Sequence, residues 1–318
     1  MKKATSIFCV AVVAACLFPL SVCPQDRFIN CRKFDASIKI VIDGDKSDWP
    51  ISSFGSPAAI DSRGDLTTGD HFVLNAGTAA YDNQGTGNVY SGPADFDAVT
   101  YIGWDNQAFY LLNIARDNEI GFDHARAGTI DANGYLTGSS TGWTNDGIEL
   151  WLDNDNDRLP LHLDQQPEGN SVNDLQFNVI IDDALQRRDY PNLAEEDYGL
   201  RFDNFYYQYK EIFRSGADYN DGDALEYELL STIDTVTKLD ADNKGYTMEI
   251  RIPFGSFVMF ESTHPIGFNL SWLDWDKGEF SHFSWNGFPS EQPEFYQEMR
   301  FTSDRPLGGT SIGQWSIY

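Results

Sequence analysis

In the stretch Gly147-Ile148-Glu149-Leu150-Trp151-Leu152, apolar Ile148, Leu150 and Leu152 alternate with Glu149 and Trp151. A period of two marks an extended strand with one buried face, because successive side chains leave a strand on opposite sides. The aliphatic trio is the expected core side, and Glu149 and Trp151 face the other way. Leu175 to Ile181 repeats the pattern, with Phe177, Val179 and Ile181 on one side. Upstream, Val99–Trp104 and Ala108–Ala115 flank Asp105-Asn106, which reads as a hairpin. Ser37 to Ile42 alternates through Ile38, Ile40 and Ile42 and then turns at Asp43-Gly44-Asp45. Downstream, Gly245–Ile252 sets Tyr246, Met248, Ile250 and Ile252 against Thr247, Glu249 and Arg251; Gly267–Leu273, Glu279–Trp285 and Glu298–Phe301 close the series.

Many short strands, turn signals between them and scarce helical periodicity predict an all-β chain. The expected architecture is an antiparallel β-sandwich of jelly-roll or immunoglobulin-like type with two long loop insertions. One insertion lies near residues 53–93, rich in Gly, Asp, Thr and Asn, and reads as an elaborated loop or a small subsheet. The other lies near 184–223, where charges mix with Tyr190, Tyr198, Tyr206, Tyr207, Tyr209 and Tyr219 around a short predicted helix at Phe205–Phe213. No internal repeat or linker divides residues 33–318, which read as a single domain.

Lys2 and Lys3 precede an almost uncharged apolar stretch from Ala4 to Val22, which breaks into Pro24-Gln25-Asp26. A basic start, an apolar centre and a polar exit predict a signal peptide over residues 1–24. An anchor helix needs about 20 apolar residues, and Pro19 interrupts this run. The expected location is therefore secreted or cell-envelope, periplasmic or on the outer surface, with no transmembrane segment elsewhere. Val13-Ala14-Ala15-Cys16 and Leu20-Ser21-Val22-Cys23 both resemble bacterial lipoprotein boxes, so a lipid anchor stays open as well. All four cysteines lie at or before Cys31, which leaves the domain without an internal disulfide framework. In a chain anchored at Cys16, Cys23 and Cys31 could pair; in one cut later, Cys31 is expected to be an odd thiol near a flexible end.

The chain carries 49 acidic and 22 basic residues, a net charge of −27. That balance excludes nucleic acid and anionic membranes as partners, since both require positive potential. It suits hard cations. Aromatic residues make up 14%, with 8 Trp and 15 Tyr; they serve as strand formers in a sandwich core and as stacking platforms.

Five motifs follow one another along the chain. They are Ile42-Asp43-Gly44-Asp45-Lys46-Ser47-Asp48-Trp49; Trp104-Asp105 through Ala115-Arg116-Asp117; Trp143-Thr144-Asn145-Asp146-Gly147-Ile148-Glu149-Leu150-Trp151-Leu152-Asp153; Gly245 through Phe254; and Ile266-Gly267-Phe268-Asn269. In this order, over roughly Ile38 to Phe301, the chain resembles the family 9 carbohydrate-binding modules and their DOMON-like relatives. The resemblance implies a sugar-binding β-sandwich with structural calcium. It implies that Trp143 forms one wall of an aromatic clamp and that Glu149 hydrogen-bonds sugar hydroxyls. Stacking of a pyranose face on indole, with a carboxylate fixed beside it, makes physical sense of the pair. The family's second clamp Trp corresponds to about Ser290, where Phe288, Tyr296 or Trp275 are aromatic stand-ins, and a basic residue common on the following strand is replaced around Asn178. The carbohydrate-binding candidates are thus Trp143, Glu149, Trp151, Asn178, Trp285 and Phe288.

Asp153-Asn154-Asp155-Asn156-Asp157 is the densest run of carboxylates. Ca²⁺ takes six to eight hard oxygens, so Asp153, Asp155 and Asp157 are the metal candidates; Asp43, Asp45 and Asp48 are a weaker second set. No nucleophile motif, metal-hydrolase motif or phosphate loop occurs, and five histidines are scattered without ligand spacing. The expected function is that of an exported, non-catalytic carbohydrate-binding protein that assists polysaccharide capture or carbohydrate catabolism, with a polysaccharide or oligosaccharide as partner. Two alternatives remain from the sequence. One is a haem-binding electron-transfer domain of the same sandwich type, with Met248 or Met259 as axial ligand. The other is a hydrolase acting on O-glycosyl bonds, with a carboxylate pair that counting cannot single out.

Overall fold

The computed structural model describes residues 28–60, 66–74, 90–120, 129–130, 136–137, 146–158, 174–180, 233–256, 260–276, 279–285 and 296–308. Its strands, in chain order, are β1 (Ile29–Phe34), β2 (Ala59–Ile60), β3 (Leu66–Thr67), β4 (His71–Val73), β5 (Phe96–Trp104), β6 (Ala108–Asp117), β7 (Thr129–Ile130) and β8 (Leu136–Thr137). They continue with β9 (Gly147–Asp153), β10 (Asp174–Ile180), β11 (Asp234–Leu239), β12 (Gly245–Pro253), β13 (Ile266–Asp276), β14 (Glu279–Ser284) and β15 (Gln297–Leu307). One sheet runs β10-β9-β13-β15-β1-β5-β6-β12-β11, with β14 on β13 and β4 on β5. Among the described residues the only helices are two short 3₁₀ turns, at Lys46–Asp48 and Ile51–Ser53, and none is long and apolar enough to cross a membrane.

The sheet folds over on itself. Phe72 on β4 stacks on Phe268 of β13 at 5.5 Å, and Phe96 on β5 stacks on Phe283 of β14 at 5.8 Å. The Trp272 indole N–H on β13 reaches Thr100 Oγ1 on β5 at 3.0 Å. In none of these three contacts are the two strands neighbours in the sheet, so β9, β13 and β14 form one layer and β4, β5, β6 and β12 the other. This is the expected sandwich, and its core is set by period two: Ile148, Leu150 and Leu152 meet Ile102, Leu111, Met248 and Ile250 in one buried cluster.

Four expectations need correction. The sheet is not wholly antiparallel: β1 pairs parallel to both β15 and β5 and so joins the two layers. That strand begins at Ile29, ahead of the expected start at residue 33. Cys31 sits in its middle, fully buried in the core, and is no thiol at a flexible end; burial pushes its pKa well above the ordinary value. Residues Ser37–Ile42 form no strand, because Ile38, Ile40 and Ile42 pack on the outer side of β6 against Tyr110, Leu112 and Trp49 in a second cluster. Alternation there reflects a one-sided packing surface without sheet partners. Within the insertion near 53–93, β2 and β3 make the expected small subsheet and β4 joins the main sheet on β5. The insertion near 184–223 and its short helix lie outside the described residues.

Candidate functional site

Strand β9 runs at the centre of its layer, paired antiparallel to β10 on one side and β13 on the other. Its register sets Glu149 opposite Ser271 and Asn178, and Trp151 opposite Asn269 and Gln176. Since Ile148, Leu150 and Leu152 point into the core, Glu149, Trp151, Asn269 and Ser271 face the other side of the layer. Ser271 in turn pairs with Ser284 on β14, and Leu273 with His282. Three strands therefore contribute one polar and aromatic surface: Glu149 and Trp151, Asn269 and Ser271, His282 and Ser284.

The side chains interlock. His282 Nε2 lies 2.9 Å from Glu149 Oε2, and the Trp151 indole N–H donates to the same oxygen at 3.3 Å. Asn269 Nδ2 donates to Ser284 Oγ at 3.1 Å, while Ser271 Oγ, opposite Glu149, is buried with no hydrogen-bond partner. Tyr296 sets its ring edge-on to Trp151 at 6.4 Å. Glu149 and Trp151 are 3% and 2% exposed. A carboxylate in so dry a setting is held by its donors, which fixes the direction of its remaining lone pairs. Such an arrangement can present an oriented acceptor, hydroxyls and an amide to a polyhydroxylated ligand.

The sequence candidates separate. Glu149 and Trp151 stand together as alternation predicts. Asn178 takes its place opposite Glu149 in the register of β10. Trp285 does not join them: it lies 4% exposed in the core, 5.0 Å from the ring of Phe72, so its faces are occupied by packing. Trp143 and Phe288 lie outside the described residues, and so does Met259. Met248 is fully buried in the core. The aromatic stand-ins Tyr296 and Trp275 are placed near this face, Tyr296 on Trp151 and Trp275 on the outward row of β13. His282 was missed, although its spacing two residues before Ser284 on an alternating strand carries the signal.

At the far end of β9, the carboxylates of Asp153, Asp155 and Asp157 come together, one oxygen of each lying within 4.8 Å of the others. The Asp157 and Arg158 amides donate to the two oxygens of Asp153 at 3.2 and 3.0 Å. Asn154 is buried with both amide atoms unpartnered. Burial, followed by Asp155 and Asp157, pushes the Asp153 carboxyl up to about 7. The oxygen-only donor set fits a hard cation. Asp43, Asp45 and Asp48, by contrast, spend their oxygens on the backbone amides of Asp45, Ser47 and Val41; they form no such group among the described residues.

A family model described as carbohydrate family 9 binding domain-like matches residues 67–299. Similar solved structures include a family 9 carbohydrate-binding module from Caldicellulosiruptor kristjanssonii in complex with cellotriose, at 16% identity and TM-score 0.45, covering 90% of this chain and 98% of that one. A family 9 module from the same organism in complex with glucose shows 17% identity and TM-score 0.44, covering 86% and 96%. No curated protein matches the sequence.

Proposed function

Because this chain belongs to the carbohydrate family 9 binding domain-like family, we propose that it is an exported, non-catalytic carbohydrate-binding protein whose sugar-facing surface is built on Glu149. The observation that carries the reading is the position of Glu149: on the row opposite the core, buried, and fixed by His282 and Trp151. A sugar hydroxyl needs an acceptor of set direction, and an aromatic face beside it takes the apolar side of the ring. Trp143, six residues before Glu149 in sequence, is the proposed clamp wall, with Phe288 or Tyr296 opposite. Export rests on the basic, apolar and polar succession of residues 1–24, and a lipid anchor on Cys16 or Cys23. The Asp153–Asp157 run is proposed to take Ca²⁺ as a structural ion.

Affinity electrophoresis of the mature protein through β-glucan, xylan and mannan gels, with calcium present, tests this directly. Retardation by at least one glycan is expected. Glu149→Gln should weaken it by about tenfold or more, since a charge-assisted hydrogen bond is worth about 1.5–3 kcal/mol, while leaving the melting temperature within a few degrees. Free migration of the unmutated protein in every gel overturns the reading.

A further inference from the structure

Strand β1 joins the two layers by pairing with β15 along most of its length and with β5 only at Arg32 and Lys33. At its start the place of β5 is taken by Gly69, whose carbonyl accepts the Asn30 amide at 2.7 Å. Ile29, Cys31 and Met299 go into the core. Period two therefore turns Asn30 and Arg32 of β1, with Arg300 and Thr302 of β15, to the outside. The register sets Asn30 beside Arg300 and Arg32 beside Thr302. Beyond that second pair β1 advances two residues, to Phe34, while β15 advances five, to Leu307. Such a bulge bends its strand, and here it carries Asp304 and Arg305. With the segments around Gly55 and Gly69 on the other side of β1, it encloses a cleft of about 800 Å³, within the range of small-ligand sites.

The chain has 22 basic residues against 49 acidic ones, yet Arg32, Arg300 and Arg305 all line this cleft. Two of them are held in place. Arg32 Nε donates to the Arg305 carbonyl at 2.9 Å, and its Nη1 to the Ser53 carbonyl at 2.7 Å and to Asp70 Oδ2 at 3.0 Å. Arg300 donates through Nε to Glu298 Oε1, and its guanidinium lies over the Phe28 ring at 4.1 Å, a cation–π contact. Among the described residues, no hydrogen bond engages Arg32 Nη2 or either terminal nitrogen of Arg300. Asp70 does not answer them further, since the Gly55 amide, Arg32 and His71 already occupy its oxygens. Asp304 and Arg305 are exposed neighbours of opposite charge. The Asn30 side-chain amide and the Thr302 hydroxyl make no hydrogen bond among the described residues. A guanidinium fixed in direction with free N–H groups is a fork that fits a carboxylate.

We propose that this cleft binds an acidic saccharide, a glycan bearing uronate carboxylates, with Arg32 and Arg300 taking the carboxylate and Asn30 and Thr302 the hydroxyls beside it. The saccharide half rests on the carbohydrate-binding reading above; the carboxylate half rests on the two guanidinium groups. The cleft is separate from the face around Glu149. Arg300 lies past the Ile266–Met299 pair, and Ser271, opposite Glu149, is five residues along β13 from Ile266, about 17 Å at strand rise. A chain of net charge −27 repels polyanions as a whole, so holding one requires a local cationic site of this kind.

Calorimetric titration of the mature protein with trimers of galacturonate, mannuronate and guluronate tests the proposal, with the methyl ester of each trimer as the uncharged control. At least one acidic trimer should bind, and its ester should bind at least about tenfold more weakly, because the charge-assisted bonds are gone. Arg300→Gln should weaken binding of the acidic trimer by about tenfold or more, and Arg300→Lys, which keeps the charge and loses the fork, by less. Both variants should melt within a few degrees of the parent, since the Arg300–Glu298 pair is only partly buried. Glu149→Gln should leave the acidic trimer bound as before while it weakens retardation in the glycan gels, which separates a failure of this cleft from a failure of the outer face. No binding of any acidic trimer, equal binding of acid and ester, unchanged affinity in Arg300→Gln, or loss of acidic-trimer binding in Glu149→Gln overturns the cleft. Displacement of the trimer by acetate at the same carboxylate concentration makes it a plain anion site and overturns the saccharide half.

Discussion

Glu249 on β12 joins two sequence motifs that lie two hundred residues apart. Its Oε2 accepts the backbone amides of Gly44 and Asp43 at 2.6 and 2.9 Å, and its Oε1 accepts the Trp49 indole N–H at 2.7 Å. The residue is fully buried, so each lost bond leaves a donor without water. In Glu249→Ala, loss of three hydrogen bonds to a charged group would remove about 5–9 kcal/mol. Release of a buried charge returns several of these, which leaves a net destabilisation of about 3–4 kcal/mol. For a domain of this size that lowers the melting temperature by roughly 10 °C. Glu249→Gln keeps an acceptor oxygen and should cost about half as much. Trp49→Phe removes one donor yet preserves the edge-on contact with Phe34 at 5.5 Å; its cost, about 1–2 kcal/mol, should be largely absent in the Glu249→Ala background. Urea melts of the four proteins give the double-mutant cycle. Additive losses, or a Glu249→Ala protein that melts within 2 °C (about 0.5–1 kcal/mol) of its parent, would refute the reasoning.

Gly69 pairs with Ile29 through an isolated bridge, and a methyl there would stand 2.1 Å from the Ala58 amide nitrogen. Backbone cannot swing aside, so Gly69→Ala should cost at least about 3 kcal/mol, read as loss of soluble protein or a large fall in urea midpoint. Asp70 is opposed by burial, but His71, the Gly55 amide and Arg32 outweigh it and hold its carboxyl below the ordinary 3.8. A depressed carboxyl stabilises the fold above its unfolded pKa and ceases to as pH falls through the folded value. Asp70→Asn should therefore cost about 1–2 kcal/mol at pH 7, and the gap to the parent should close below about pH 4 in melts across pH. Cys31, fully buried, should resist iodoacetamide in the native state and react on denaturation; peptide mass spectrometry of the Cys31 peptide reads this, and fast native labelling contradicts its burial.

Alternation made most of the sandwich legible. Every expected strand from Val99 onward has a counterpart within a few residues of its expected bounds, because each has one buried face and one face of different chemistry. The strand β1 was legible only in part. Ile29-Asn30-Cys31-Arg32-Lys33-Phe34 mixes basic and apolar residues, and its parallel pairing to β15 and β5 depends on partners that no local pattern names. Ser37–Ile42 misled in the opposite direction, since an irregular segment laid on one surface has the same one-sided burial as a strand. On the site, Glu149 and Trp151 followed from the same rule, and so does the core position of Trp285, two residues after the inward Phe283; naming it a sugar contact went against that alternation. The inward carboxylates Asp117 and Asp274 were readable as breaks in an apolar row, and they were hidden by the abundance of acids in a chain of net charge −27.

Three buried acids on this scaffold show why burial alone does not define a site. Glu249 has three donors in its own chain, each within 2.9 Å; its hydrogen-bonding capacity is used up in welding the segment at Asp43–Trp49 to β12, and substitution there should be felt as stability. His282 and the Trp151 indole meet at one oxygen of Glu149, Oε2, and donors of this kind fix the direction of a buried carboxylate. Asp274 has no donor at either oxygen and four other acids around it, Asp95, Asp117, Asp146 and Asp276. Burial and its acidic neighbours push its carboxyl up to about 8, so protons meet its electrostatic need. Raising the pH through about 8 should leave the Glu249 contact intact and weaken the Asp274 end of the core, because a raised carboxyl loses its stabilising proton as pH passes its folded pKa. Hydrogen exchange of the β6 and β13 amides near Asp117 and Asp274, compared with those of β12 around Glu249, distinguishes that local loosening from a uniform loss of stability.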